Sequence, residues 1–146
     1  MVKGRLATRR EFSDGIIGGH NYDEFKLTLS SNGFDPADCI QSIVPSKDFP
    51  GLYNVYYRIP KRMRGQIVPG EYRVIPIPKT VYDPKLYSDK QMAEWGREAM
   101  QNAKKYGRFY YGVATNGMKF VGYYDANEGR IRNFHPVLNF DFVRGE

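Results

Sequence analysis

Hydrophobic positions near the start of the chain have the spacing of a short helix. Asn21 is a good N-cap residue, and two acidic residues follow it within the first helical turn. Phe25 and Leu29 lie four positions apart, which places them on one face of a helix. The pattern therefore predicts a helix that begins directly after the turn Gly18-Gly19-His20.

Beyond this helix the apolar positions recur with a period of two, which is typical of strands. Strands are predicted over residues 40–44, 52–59 and 71–77, separated by Pro45, Pro60 and a turn at Pro69-Gly70. The basic run 61–65 (Lys-Arg-Met-Arg-Gly) is predicted to form an exposed loop between two of these strands.

A second, longer helix is predicted to begin at Ser88-Asp89, downstream of Pro84. Its apolar positions recur every three or four residues, and Gly107 ends the pattern. These positions are Met92, Trp95, Ala99, Met100 and Ala103.

The last part of the chain reads as an antiparallel meander. Strands over 108–115, 118–125 and 129–134 are joined by Asn116-Gly117 and by the turn 127–129, and residues 137–143 are predicted to add an edge strand. The sequence therefore predicts one α+β domain over 1–146, with short N-terminal helices and one longer central helix packed on antiparallel sheet.

Composition narrows the classes of partner. The formal charge of +6 favours RNA, DNA or an acidic protein, and 12 Tyr and 9 Phe suit both sheet packing and base stacking. The single Cys39 excludes an internal disulfide, and no spacing of ligands predicts a metal or any other cofactor. No apolar stretch approaches the length of a membrane span.

The chain has only two histidines, and each lies in a context that presents its side chain. His20 ends a Gly-Gly turn, and His135 precedes a proline near the C-terminus. RNA cleavage without a metal needs one group to take the proton of the 2′-hydroxyl and another to protonate the 5′-oxygen, and imidazole suits both tasks near neutral pH.

The order of motifs resembles the EndoU endoribonucleases, especially the toxin domains at the C-terminal ends of contact-dependent inhibition and other polymorphic toxins. The resemblance rests on Gly-Gly-His before a helix, on 79–84 (Lys-Thr-Val-Tyr-Asp-Pro) before a second helix, and on a meander that ends in 131–136 (Ile-Arg-Asn-Phe-His-Pro). It implies an EndoU-like fold and metal-independent cleavage of RNA, with 2′,3′-cyclic phosphate ends. It also implies secretion or delivery into a target-cell cytoplasm and neutralisation by a cognate immunity protein.

The resemblance assigns His20 to one catalytic histidine of the family. The family's other catalytic histidine lies about fifteen residues earlier, where this chain has no histidine between Arg5 and Arg10. Either the chain uses a different acid–base pair, or the histidine has been replaced at Ala7, which would impair the enzyme. Both alternatives are open at this point.

The family's catalytic lysine is matched best by Lys79 and next best by Lys85. The family commonly has Thr-x-Tyr near the C-terminus, where this chain has Asn133 and His135. Because residues two apart share a face of a strand, Asn133 and His135 should project together while Phe134 points into the core. Lys61, Arg62 and Arg64, with Lys85, are predicted to contact RNA, and tRNA is one candidate substrate.

A second class of function fits the same composition. A basic, tyrosine-rich sheet can bind RNA or a protein without any chemistry, and the missing histidine favours this alternative. Cleavage of RNA in the presence of a chelator would distinguish the enzyme from the binding module.

Overall fold

The computed structural model describes residues 4–6 and 15–141. In this part of the chain the helices are α1 (Tyr22–Ser31), α2 (Pro36–Cys39) and α3 (Asp89–Gln101). The strands are β1 (Arg5–Leu6), β2 (Ile16–Ile17), β3 (Ile40–Pro45), β4 (Leu52–Met63), β5 (Gln66–Val74), β6 (Lys79–Tyr82), β7 (Lys104–Tyr106), β8 (Phe109–Val113), β9 (Lys119–Asp125) and β10 (Arg130–Val137). The predicted α+β class is confirmed.

Every ladder between these strands is antiparallel. β1 pairs with β2, and β3, β4 and β5 form a second sheet in which β6 also pairs with β4. The third sheet has the order β10-β9-β8-β7, so β10 lies at one edge and β7 at the other.

The hydrophobic core has two parts, one on each side of β6. The first packs α1 and the β3–β6 sheet around Phe25, Val55, Tyr57 and Val81. The second packs α3 against the β7–β10 sheet and also contains Leu52 and Tyr82, which come from β4 and β6. These two side chains join the sheets, and β10 lies against β6 at the junction.

Both predicted helix starts are confirmed. The Asn21 side chain accepts hydrogen bonds from the N–H groups of Asp23 and Glu24, and the Ser88 side chain caps α3 by accepting from the N–H of Gln91. α3 ends at Gln101, earlier than its apolar pattern indicated, because Lys104–Tyr106 pairs with β8 instead. The meander consequently has four strands.

The predicted loop at 61–65 is wrong. Lys61, Arg62 and Met63 extend β4, and the turn is only Arg64-Gly65, where both residues have positive φ, 53° and 81°. Met63 pairs with Gln66 across this turn, and two consecutive positive φ values suit the twist of such a hairpin.

Three other strand predictions need correction. Pro69-Gly70 was predicted to be a turn but lies inside β5. The β4–β5 ladder shifts its register there, and such an irregularity accommodates a proline, which has no N–H to donate. β5 also ends at Val74 rather than at residue 77. β6 was missed because prolines flank it closely in the sequence. The suggested strand 137–143 is not formed over 138–141, and its remainder lies outside the described residues.

Candidate active site at the junction of the two sheets

The backbone around His20 is set by two glycines. Gly18 and Gly19 have φ of 70° and 66°, a region that L side chains rarely adopt. A side chain on Gly19 would also approach the backbone of Gly4, with its Cβ 3.1 Å from the Gly4 Cα. The turn directs His20 towards β6, where its carbonyl accepts a hydrogen bond of 2.8 Å from the N–H of Tyr82.

A polar network fixes the residue after His20. Besides capping α1, Asn21 donates through Nδ2 to the Asp89 carboxylate at 3.0 Å, and the Tyr82 hydroxyl donates to the same oxygen of Asp89. The start of α1, the end of β6 and the start of α3 are therefore tied together beside His20.

The expectation that the sequence context presents the His20 side chain is wrong: the ring is buried between the turn and β6, with 8% of the residue exposed. Its Nδ1 lies 2.7 Å from the Thr80 carbonyl oxygen. Because a carbonyl only accepts hydrogen bonds, Nδ1 carries the proton and Nε2 holds a lone pair. Thr80 is itself held by a hydrogen bond of 2.6 Å from its hydroxyl to the Asn54 side chain. The neutral ring is thus oriented with its basic nitrogen away from β6.

His135 reaches the same place from β10. Its Nδ1 lies 3.0 Å from the Pro136 carbonyl oxygen, so this ring also carries its proton on Nδ1. The Nε2 of His135 accepts a long hydrogen bond of 3.4 Å from the Tyr123 hydroxyl. Each histidine therefore has an Nε2 that can gain a proton.

The two imidazoles stack face to face. Their ring centroids are 4.1 Å apart and their planes differ by 9°. This contact joins residues that are 115 positions apart in the sequence (135 − 20). The fold therefore places the only two histidines of the sequence in direct contact.

Lys79 is the cation beside this pair. It lies on β6 next to Thr80, and its Nζ donates to the Ile16 carbonyl at 2.9 Å. Its positive charge lowers the pKa of both histidines, so it is close enough to act on either imidazole. The same charge would attract a phosphate placed over the rings.

Both imidazoles are hard to protonate. Burial is the main cause that lowers the pKa of His20 well below its usual value, and the charges of His135 and Lys79 lower it further. Burial, with a smaller contribution from Lys79, lowers the pKa of His135 to about 4. Because a proton on one ring repels a proton on the other, the stacked pair favours carrying at most one.

The family model of the bacterial EndoU nucleases matches residues 2–138 of this chain. The chain belongs to the bacterial EndoU nuclease family. Two curated relatives carry the name tRNA nuclease CdiA: one from Escherichia coli, 35% identical over 129 residues, and one from Yersinia mollaretii, 32% identical over 128 residues. Each alignment covers 84% of this chain, and the chain spans only 4% of the length of each relative.

The other predicted site residues of this EndoU chain are exposed or lie outside the described residues. Asn133 is exposed on β10, two residues before His135, while the Phe134 ring packs towards α3, where it leaves no room for a side chain on Gly96. Lys85 is exposed in the turn after β6. Ala7 lies outside the described residues.

The basic residues of the β4–β5 hairpin lie far from the histidines. Val55 of β4 pairs with Lys79, and Lys61 is six residues further along the same strand, or about 20 Å at the usual rise of a strand. Arg62 is engaged locally, because it donates to the Asn32 carbonyl and lies over the Phe34 ring at 4.9 Å. The hairpin is thus a separate basic surface.

Three residues that position the histidines were missed. Thr80 and Asn54 orient His20, and Tyr123 contacts His135. A strand prediction at 79–82 would have placed Thr80 beside Lys79, but nothing in the sequence indicates that its carbonyl faces an imidazole 60 positions away.

The described residues contain neither a metal-binding cluster nor a membrane-spanning helix. Within 4–6 and 15–141, no group of three or more His, Cys, Asp or Glu side chains is arranged to hold a metal ion. No helix in these ranges is long and apolar enough to cross a membrane.

The depressed pKa values predict a loss of stability in mild acid. Between the ordinary histidine pKa of 6.5 and about 4, the unfolded chain binds a proton at residue 135 that the folded chain does not. The free energy of unfolding should therefore be highest above pH 6.5 and fall as the pH falls. We expect His135→Gln to lose less stability than the native chain between pH 7 and 5.5, measured by urea denaturation. Equal losses in the two proteins would contradict the burial of a neutral His135.

Proposed function

We propose that this chain is a metal-independent endoribonuclease toxin that cleaves RNA by attack of a 2′-hydroxyl on the adjacent phosphate. The observation that carries the proposal is the stacked His20–His135 pair beside Lys79. Membership of the bacterial EndoU nucleases supports the reaction class, and the relatives named tRNA nuclease CdiA support tRNA as the substrate. Delivery into a target cell is what the resemblance to contact-dependent inhibition toxins implies.

The geometry supports a division of roles between the two rings. His20 is held by the Thr80 carbonyl with a free Nε2 lone pair, which suits it to take the proton from the 2′-hydroxyl. The 2′-oxygen then bonds to phosphorus, and the bond from phosphorus to the 5′-oxygen breaks. His135, in its protonated form, gives its proton to that 5′-oxygen, leaving a 2′,3′-cyclic phosphate and a 5′-hydroxyl.

The substrate supplies the charge that makes the acid available. In the free protein burial, and to a smaller extent the charge of Lys79, lowers the pKa of both imidazoles, so both rings are neutral at pH 7. A bound phosphodiester brings a negative charge that opposes the effect of Lys79 and raises the pKa of the pair. Lys79 then stabilises the charge that develops on the non-bridging oxygens. Asn133, exposed on the same strand as His135, is placed to donate a hydrogen bond to a base or phosphate.

In this proposal His135 replaces the family's histidine that is absent between residues 5 and 10. Its position on β10 is the one where the family commonly has the tyrosine of Thr-x-Tyr. The stacked contact gives the chain a second imidazole without any contribution from Ala7.

The test is cleavage of tRNA by the native chain and by His20→Ala in EDTA. We expect the native chain to leave 2′,3′-cyclic phosphate ends, and His20→Ala to be slower by about 10²- to 10⁴-fold, since it lacks one acid–base group. The products are identified by sequencing 3′ ends after selective ligation of cyclic phosphates.

A substrate with a 2′-deoxyribose at the cleaved position is the matched control, and it should be inert. A strict requirement for added Mg²⁺ or Zn²⁺, or full activity in folded His20→Ala, would overturn the proposed mechanism. Retention of RNA without any cleavage would favour the binding module.

We also propose an acidic cognate immunity protein as a partner of this toxin. Its surface would cover the cleft between His20 and the Asn133/His135 strand, contact Lys79, and extend to the basic β4–β5 hairpin tip. The net charge of +6 supports an acidic partner, and fast, salt-sensitive association would follow from it.

Charge reversal at the hairpin tip tests this partner. Lys61→Glu combined with Arg64→Glu leaves Arg62 and its contacts in place, and we expect the association rate to fall severalfold at low salt. Lys104→Glu with Lys105→Glu on β7 is the control with the same charge change. An unchanged association rate, or a bound partner that leaves RNA cleavage intact, would exclude this arrangement.

A further inference from the structure

A second basic surface lies on the other side of β10 from the histidines. It is a groove of about 540 Å³ between α3 and β10. Three exposed arginines line it, Arg97 from α3 and Arg130 and Arg132 from β10, together with the less exposed apolar side chains Met100, Ile131 and Phe134. No carboxylate is among its lining residues.

Two of these arginines form no ion pair with any residue that the structure describes. Arg132 bonds to Glu128 at 2.8 Å and lies 4.0 Å from Asp125. Within the described ranges, neither Arg97 nor Arg130 forms an ion pair with an acidic side chain. Glu98, the residue next to Arg97, accepts a hydrogen bond from the Thr115 N–H. The groove therefore offers two uncompensated guanidinium groups over an apolar surface.

The groove and the candidate active site share one strand, β10. β10 is the edge strand of its sheet and carries Arg130 and Arg132 before it carries Asn133 and His135. At the usual rise of a strand, Arg132 and Arg130 lie about 10 and 17 Å from His135. A chain that follows the edge of β10 away from the stacked histidines reaches the groove within a few nucleotides.

We propose that this groove binds the sugar–phosphate backbone of the RNA that flanks the cleaved bond. The inference rests on the proposed function, since it concerns the substrate of the same site. Guanidinium groups match phosphate oxygens in bidentate geometry, and an apolar floor accepts the face of a base or ribose. The absence of a lining carboxylate suits a polyanion. Because Arg130 lies about 17 Å from His135 along the strand, a long RNA should engage the groove more fully than a dinucleotide bound at the histidines.

The test compares a long and a short substrate. Arg97→Gln with Arg130→Gln removes two charges from the groove, and Lys104→Gln with Lys105→Gln removes two from β7 at the opposite edge of the same sheet. The substrates are tRNA and the dinucleotide that contains the bond cut in that tRNA. We expect the groove variant to raise KM for tRNA about tenfold with kcat unchanged, and to cleave the dinucleotide as the native chain does. The control variant should have a much smaller effect on both.

Binding provides a readout that does not need cleavage. With His20→Ala added to each protein, the affinity for labelled tRNA is measured over a range of salt concentrations. Loss of two phosphate contacts should reduce the slope of log K against log salt by about 1.4, at roughly 0.7 for each contact with a single strand. The β7 control should keep the native slope.

The outcomes separate this inference from the proposed function. If the native chain cleaves neither substrate in EDTA, the proposed function fails, and the binding slope still decides whether RNA occupies the groove. If tRNA affinity, slope and KM are the same in the groove variant and the native chain, the groove does not bind RNA. If these three quantities are unchanged but the groove variant binds an acidic immunity protein more weakly than the native chain does, the groove belongs to that protein interface and the proposal is overturned.

Discussion

The stacking of His20 on His135 is the interaction on which the candidate active site depends. One ring is carried by the turn before α1 and the other by the edge strand β10, so the contact exists only when the two sheets are joined. Leu52 and Tyr82 provide that joint, because they belong to the first sheet and pack in the core of the second. The fold thus brings together two imidazoles that neither half of the chain contains alone.

The electrostatic surroundings of this contact set the pKa values of the two imidazoles. Burial is the main cause that lowers the pKa of both stacked imidazoles in the free protein, and the charge of Lys79 lowers it further. In the proposed mechanism a bound phosphodiester favours one proton on the pair, which leaves one protonated ring beside one vacant nitrogen. One acid and one base are what cleavage through a 2′-hydroxyl requires.

Local signals predicted the local features of this chain. The caps at Asn21 and Ser88 and the glycine turn before His20 are encoded within a few residues, and all three are formed as predicted. β6 was not predicted, because four residues between prolines show no readable period. The extension of β4 through Lys61 was also missed, because pairing with β5 outweighs the polarity of the run.

The site itself was predictable only in part. His20 and Lys79 could be proposed from their motifs, and His135 from its place near the C-terminus, but their proximity depends on contacts between distant strands. Thr80 contacts His20 through its backbone carbonyl, and the residue type at a position does not indicate such a backbone contact. Tyr123 reaches His135 from the neighbouring strand β9, and the bulge at Ile131/Asn133 in the β9–β10 ladder sets which residues face each other there.

The most direct test of the account is a double-mutant cycle on the stacked histidines, with cleavage of tRNA measured in single turnovers. If His20 and His135 act as one acid–base pair, each alanine substitution should remove most of the rate, and the double variant should be little slower than either single variant. The same cycle is repeated with Ala7→His present. A native rate in His135→Ala, or activity that appears only with Ala7→His and does not depend on His135, would contradict the account.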